Sequence, residues 1–319
     1  MKNLKLALLA AALAIASTAH AQNFPTKPVT ITLGFAPGSS IDTLTRLVAE
    51  RLRDRWGQPV LIDNKPGAGA NIAAELVAKA TPDGHTLLVT TSAIAISPSL
   101  YGKLNYDPFK DLRAVGQMSA MPHILAVKND LPVTTAAEFI AYAKANPGKL
   151  NFSSAGTGNS DHMAGELLKA LTGIDMVHVP YKGGQQAMAD LVSGLVDAYF
   201  PGLPVGLPMV QGGRVKALAI TGKTRSKALP NVPLLSDTVP GFYVDLWYGM
   251  FAPAGTPDAL VQKISADLAA VLKDPGLVQK FDNMGVEPVG SDPKSFAAFV
   301  QSEHDKWQGI IKRGNISLK

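Results

Sequence analysis

The most constraining stretch of this chain is a strand, a donor-rich turn and a helix in direct succession. Val29-Thr30-Ile31-Thr32-Leu33 is β-branched and apolar, as short strands are. Gly34-Phe35-Ala36-Pro37-Gly38-Ser39-Ser40-Ile41-Asp42 follows, and apolar residues then recur at Ile41, Leu44, Leu47, Val48, Leu52 and Trp56 with helical spacing. A helix that starts from such a turn leaves its first backbone N–H groups without intrahelical acceptors, at the positive end of its dipole. That end favours an anion without an arginine, and Gly38, lacking a Cβ, lets a ligand approach closely. Three further turns have the same make-up: Asp63–Asn71, Ser153–Ser160 and Tyr181–Gly184, each before a helical pattern. Thr90-Thr91-Ser92 adds hydroxyls at the end of another strand. Asp42, near the start of the first helix, is placed to accept backbone N–H bonds and hold its turn.

Short apolar runs alternate with helical patterns over almost the whole length. Strands are expected at Val60–Ile62, Leu87–Thr90, Ile124–Val127, Asn151–Ser153, Met176–Val179, Ala198–Phe200, Lys216–Ile220 and Tyr248–Ala252. Several are nearly continuous in apolar character, as strands covered on both faces are. A helix over 131–144 carries a capping box at Thr135-Ala136-Ala137-Glu138, and Thr256-Pro257-Asp258 and Asp292-Pro293 cap two more. The alternation makes the fold class α/β, with ligand crevices at the carboxyl ends of strands.

Residues 1–21 read as a signal peptide: Lys2 and Lys5, a short apolar run, then Ala19-His20-Ala21 before Gln22. The expectation is export to the periplasm with release from the membrane. Cleavage would leave 298 of 319 residues, enough for two domains, and lower the formal charge from +5 to +3. With no cysteine there is neither a disulfide framework nor a thiolate metal site. No basic block interleaves with aromatics, so nucleic acid is not an expected partner.

Gly67-Ala68-Gly69 and Gly156-Thr157-Gly158 begin a dinucleotide fingerprint, but Ile72 and Asp161 stand where its third glycine belongs. Neither a phosphate-binding Gly-x-x-x-x-Gly-Lys motif nor a Gly-x-Ser-x-Gly elbow occurs. His162 and Glu166 are too few for a metal site, and His85 and His178 read as structural. No metal and no cofactor are expected.

Several motifs in order and spacing resemble those of the tripartite tricarboxylate transporter substrate-binding proteins, the Bug-type periplasmic proteins. They are Phe35-Ala36-Pro37-Gly38 with Asp42, Asn64-Lys65-Pro66-Gly67-Ala68-Gly69, Ala80-Thr81-Pro82-Asp83-Gly84, Val179-Pro180-Tyr181-Lys182-Gly183-Gly184, Gly194-Leu195-Val196-Asp197 and Ala252-Pro253-Ala254-Gly255-Thr256-Pro257. The resemblance covers essentially all of the chain after the leader. It implies a two-lobed Venus-flytrap fold, each lobe a mostly parallel sheet flanked by helices. It also implies a monomer that delivers a small organic carboxylate to inner-membrane transporter subunits, with the first loop and the Ser153–Ser160 loop pinching the carboxylate, partly through water. Lobe 1 is expected over 22–121 plus 248–319 and lobe 2 over 122–247. The candidate ligand-binding residues are Phe35, Ala36, Pro37, Gly38, Ser39, Ser40, Asp42, Asn71, Ser92, Ser154, Gly156, Thr157, Gly158, Asn159, Ser160, His162, Tyr181 and Phe200. Ser39, Ala70, Ala73 and Phe200-Pro201-Gly202 depart from the family pattern, so ligand identity does not carry over: tricarboxylate, C4-dicarboxylate, acidic amino acid and aromatic acid all stay open. The alternative is an exported α/β enzyme acting on a small carboxylate, for which the sequence shows no nucleophile, base and orienter together.

Overall fold

Two sheets, each flanked by helices, organise the chain. The computed structural model describes residues 24–314 and 316; the expected leader lies outside them. In the first sheet β1 (Val29–Leu33) pairs in parallel with β2 (Val60–Asn64) and β3 (Thr86–Thr91). The long β4 (Leu112–Pro122) joins it through β10 (Asp245–Pro253), which runs antiparallel to both β3 and β4, and the short β11 (Glu287–Pro288) lies on the outer edge of β4. In the second sheet β6 (Leu150–Ser154) pairs in parallel with β7 (Met176–Pro180) and β8 (Ala198–Tyr199). There β5 (Ile124–Val127) runs antiparallel between β8 and β9 (Lys216–Ile220).

Most strands in each sheet share one direction. Besides the short edge strand β11, the exceptions are β10 and β5, the strands each lobe receives where the chain crosses over. The crossings lie side by side. Thr221 donates its amide to the His123 carbonyl and accepts from the His123 amide through Oγ1 (2.8 Å). The same hydroxyl reaches the Val244 carbonyl at 2.6 Å, and the Val244 amide donates to the Thr221 carbonyl.

The opening helix, α1 (Ser40–Trp56), buries Ile41, Leu44, Val48 and Leu52 against Ile31, Leu33 and Val89, with Leu47 and Trp56 packed at the margin. Helices α2 (Asn71–Ala78) and α3 (Ala93–Leu100) follow β2 and β3. The helix expected from residue 131 begins only at Ala136. This is α4 (Ala136–Ala145), where Thr135 caps the Glu138 amide while the Glu138 carboxylate turns to Thr134 instead of Thr135. Helices α5 (Ser160–Thr172), α6 (Gly184–Ser193) and α7 (Leu203–Gln211) flank the second sheet. Near the C-terminus, α8 (Asp258–Val271) has no side-chain cap: its N-cap is Pro257, and Thr256 turns its hydroxyl back to the Pro253 carbonyl. After α9 (Pro275–Asn283), Asp292 accepts the Lys294 and Ser295 amides and starts α10 (Pro293–Gly314). That last helix is shared by the two lobes. Phe296 and Val300 pack with Trp247 and Phe251, whereas Trp307 and Ile311 enter the second core with Phe139 and Phe152.

The strand β4 was not among those expected, and its pairing shows why. Its register against β10 shifts twice, skipping Met118 and Val115, both fully buried. Each bulge resets the two-residue alternation by which a strand is read. No described helix is long and apolar enough to cross a membrane.

Candidate functional site

Two turns, one from each sheet, are built on one plan. Both cross a left-handed glycine, Gly38 (φ 79°) and Gly158 (φ 85°), then an extended N-cap, Ser39 and Asn159, and then a helix starting on serine, Ser40 and Ser160. Neither N-cap side chain caps its own helix. The Ser39 and Asn159 carbonyls take the Thr43 and Met163 amides, so the Ser40, Ile41 and Ser160 amides have no acceptor within the helix. Both helix starts open on one cavity of about 50 Å³ between the lobes. It is lined by Phe35, Ser39, Ser40, Ile41, Thr91, His123, Ala155, Asn159, Ser160, Asp161, Gly184, Tyr199, Gly202, Val205, Leu246 and Tyr248.

The side chains behind the two turns differ in kind. On the first, Asp42 is buried and its Oδ2 accepts the Gly38 amide at 2.9 Å. Arg46 reaches both carboxylate oxygens at 3.0 and 2.9 Å, and Asn64 donates to Oδ1 at 3.0 Å. Burial pushes this carboxyl up, but the Arg46, Gly38 and Asn64 bonds outweigh it and hold Asp42 below the usual carboxylate range. On the second, His162 stands in the place of Asp42 and accepts the Gly158 amide through Nδ1 at 3.2 Å. It stacks on His178 at 3.9 Å, and burial drives the two rings down to about 3 and about 4, so both are neutral. His178 Nε2 lies 2.7 Å from the Ser154 hydroxyl, which accepts the Gly156 amide. Asp161 is buried beside the cavity; its Oδ2 accepts the Ala155 amide at 2.6 Å, its Oδ1 the His162 amide at 2.9 Å. Burial raises its carboxyl to about 6 despite these bonds and the Tyr199 hydroxyl beside it.

Contacts across the cleft join the lobes. Thr91 donates to Asn159 Oδ1 at 3.2 Å, leaving the buried Asn159 amide nitrogen with no partner. The Tyr101 hydroxyl donates to the Thr157 carbonyl at 3.3 Å. Gly69 sits so close that a Cβ there would lie 2.7 Å from the same carbonyl. A larger crevice of about 490 Å³ shares Phe35, Ala155 and Asn159 with the inner cavity and adds Pro66–Ala70, Tyr101, Gly156, Thr157, Pro180, Tyr181 and Lys182.

Of the residues singled out from sequence, Phe35, Ser39, Ser40, Asn159 and Ser160 line the inner cavity, and Gly156, Thr157 and Tyr181 the outer crevice. Ala36, Pro37 and Gly38 line neither; Gly38 gives its amide to Asp42, and its missing Cβ matters for backbone conformation, since a Cβ there would meet nothing within 4 Å. Asp42, Ser154 and His162 stand behind the turns. A Cβ at Gly158 would lie 3.2 Å from Leu100 and 3.4 Å from Tyr101. Asn71 is spent on Ala68, Ser97 and Tyr106, and Ser92 is buried with its hydroxyl unpartnered. Phe200 packs on Phe242 within the second core. Thr91, His123, Asp161, Tyr199 and Tyr248 line the cavity without having been singled out as contacts. The one sequence signal for His123 is a titratable side chain opening the apolar run Ile124–Val127.

The model of the tripartite tricarboxylate transporter family receptor (TctC) matches residues 44–316. Protein BugT of Bordetella pertussis is 31% identical over 308 residues, 96% of this chain and 94% of BugT. The structure of R. palustris Rpa4515 with adipate has a TM-score of 0.88 at 34% identity, covering 92% of this chain and 99% of that one. MatC from Rhodopseudomonas palustris with bound malate has a TM-score of 0.84 at 33% identity, covering 90% of this chain and 100% of that one. The chain belongs to the tripartite tricarboxylate transporter receptor family.

Proposed function

We propose that this protein is a periplasmic solute-binding receptor that closes on a small organic carboxylate and delivers it to the membrane subunits of a tripartite tricarboxylate-type carrier. The observation that carries this is the pair of helix N-termini, one per lobe, opening on a single cavity that no lysine or arginine among the described residues lines. The Ser40, Ile41 and Ser160 amides and the Asn159 amide nitrogen are donors there for one carboxylate. The remaining ligand would extend past Phe35 and Asn159 into the outer crevice, between Pro66–Ala70 and Gly156–Tyr181. Lobes at 22–121 with 248–319 and 122–247 would then close over it. Adipate and malate on the two related structures support the ligand class. A thermal-shift screen of the mature protein against carboxylates tests it: a ligand at about 100 times its Kd should add about 2.7 kcal/mol of stability. A panel of mono-, di- and tricarboxylates without a single shift would overturn it.

One observation favours the alternative of an exported enzyme acting on a small carboxylate. His123 Nε2 lies 2.9 Å from Ser160 Oγ, a nucleophile–base distance at a helix N-terminus. Burial drives His123 down to about 4, which makes it a poor base at neutral pH, and no carboxylate bonds its other nitrogen. Binding without turnover is therefore preferred. Labelling of Ser160 by a fluorophosphonate would reverse that preference.

A further inference from the structure

The two turns differ most in how their carboxylates are neutralised. Asp42 has Arg46 bound at both oxygens. Asp161, 4% exposed, is held by two amides with the Tyr199 hydroxyl beside it and forms no salt bridge among the described residues. A buried carboxylate without a cation is costly, and the side on which its counter-ion is missing is the cavity that Asp161 lines. The remaining lining offers nothing to supply it: His123, its other titratable base, is neutral. Three aromatic rings, Phe35, Tyr199 and Tyr248, line the same cavity, and ring faces of this kind attract ammonium groups. The cavity thus offers two helix N-termini for a negative charge and, within the same small volume, a carboxylate and aromatic walls for a positive one.

We propose that the ligand is a zwitterionic carboxylate, an amino acid or a betaine, whose carboxylate meets the helix N-termini and whose ammonium group is the missing counter-ion of Asp161. The inference rests on the carboxylate reading of the cleft and narrows it. An α-amino acid or glycine betaine holds its charges about one carbon apart, which suits a cavity of about 50 Å³ with the ligand's body outside it. An acid without the cation would set its charge against Asp161 with nothing between.

The test compares acids that differ only in the cationic group: glutamate with glutarate, phenylalanine with 3-phenylpropionate, and glycine betaine with 3,3-dimethylbutyrate, by thermal shift and calorimetry on the mature protein. Among pairs that bind, the zwitterion should be tighter by about tenfold or more, as expected of a close charge pair in a desolvated site. In Asp161→Asn the ratio should fall toward one. Equal or tighter binding of the acid lacking the cation by wild-type protein overturns the proposal while leaving the carboxylate reading standing, and so does a ratio that Asp161→Asn leaves unchanged. Binding of neither members of these pairs nor any other carboxylate removes both. Should Asp161→Asn not fold, the wild-type ratio decides alone.

Discussion

Asp42 and Asp161 have opposite linkages to pH. The folded-state pKa of Asp42 is depressed, so its contribution to stability is full above the ordinary carboxylate value and is lost as pH falls through the lower, folded value. Asp161 is raised to about 6, so it costs stability at neutral pH, and the cost fades as pH falls through that value toward the ordinary carboxylate value of 3.8. Chemical denaturation of Asp42→Asn against pH should show a loss relative to wild type that shrinks in acid. For Asp161→Asn the difference should instead favour the variant most above pH 6. A loss for Asp42→Asn that is constant down to pH 2 would mean that Arg46 does not hold that charge. Ala68 supplies a second residue-level test. It is exposed and sits at φ 47°, a left-handed conformation that disfavours a Cβ. Ala68→Gly should raise stability by about 0.5–1 kcal/mol, the strain of about 1–2 kcal/mol less the added entropy of an unfolded glycine. A lower Tm would show that the strain is absent.

At the scale of elements, the crossings between the sheets depend on Thr221, whose single hydroxyl serves the His123 amide and the Val244 carbonyl. Thr221→Val keeps the shape and strands a buried amide, which should cost about 1–3 kcal/mol in urea denaturation. An unchanged midpoint would mean that water or a backbone shift replaces the hydroxyl. Elements with local signatures were legible from their residues: the apolar stripe of α1, the Asp292 cap and the Thr135 cap. Less legible was β4, where two bulges break the alternation, and α10 gives no sign in its sequence that its two halves serve different cores.

For the whole molecule, contacts of Tyr101 and Gly69 with Thr157 join the lobes at the mouth of the cleft. Gly69 (φ 61°) approaches Thr157 and Tyr101 with no space for a side chain. Gly69→Ala should therefore oppose closure and weaken a carboxylate identified by the screen, by about tenfold or more if even 1.4 kcal/mol of the closed state is lost. Small-angle scattering should show wild-type protein contracting when that ligand is added and the variant contracting less. A confirmed ligand that leaves the wild-type profile unchanged would sink the closing mechanism.

The residues of this chain by themselves determined what is local: the alternation of strands and helices, the donor-rich turns at Gly34–Asp42 and Ser153–Ser160, and the role of Asp42 in holding its own turn. Those follow from periodicity, backbone preference and contacts a few residues apart, which any sequence carries on its face. Tertiary structure alone decided which turns meet. It set Phe35, Ser39 and Ser40 opposite Asn159 and Ser160, added His123, Tyr199 and Tyr248 from strands and crossings far apart in the chain, and turned Thr91 toward the cavity while burying Ser92. It also buried Asp161 beside the cavity with no salt bridge among the described residues. The Asp42–Arg46 pair is one helical turn apart and is carried by spacing, whereas Gly165 stands at that spacing from Asp161. That no other element brings a cation to the buried Asp161 among the described residues, and that Asp161 lines the cavity, packing alone decided.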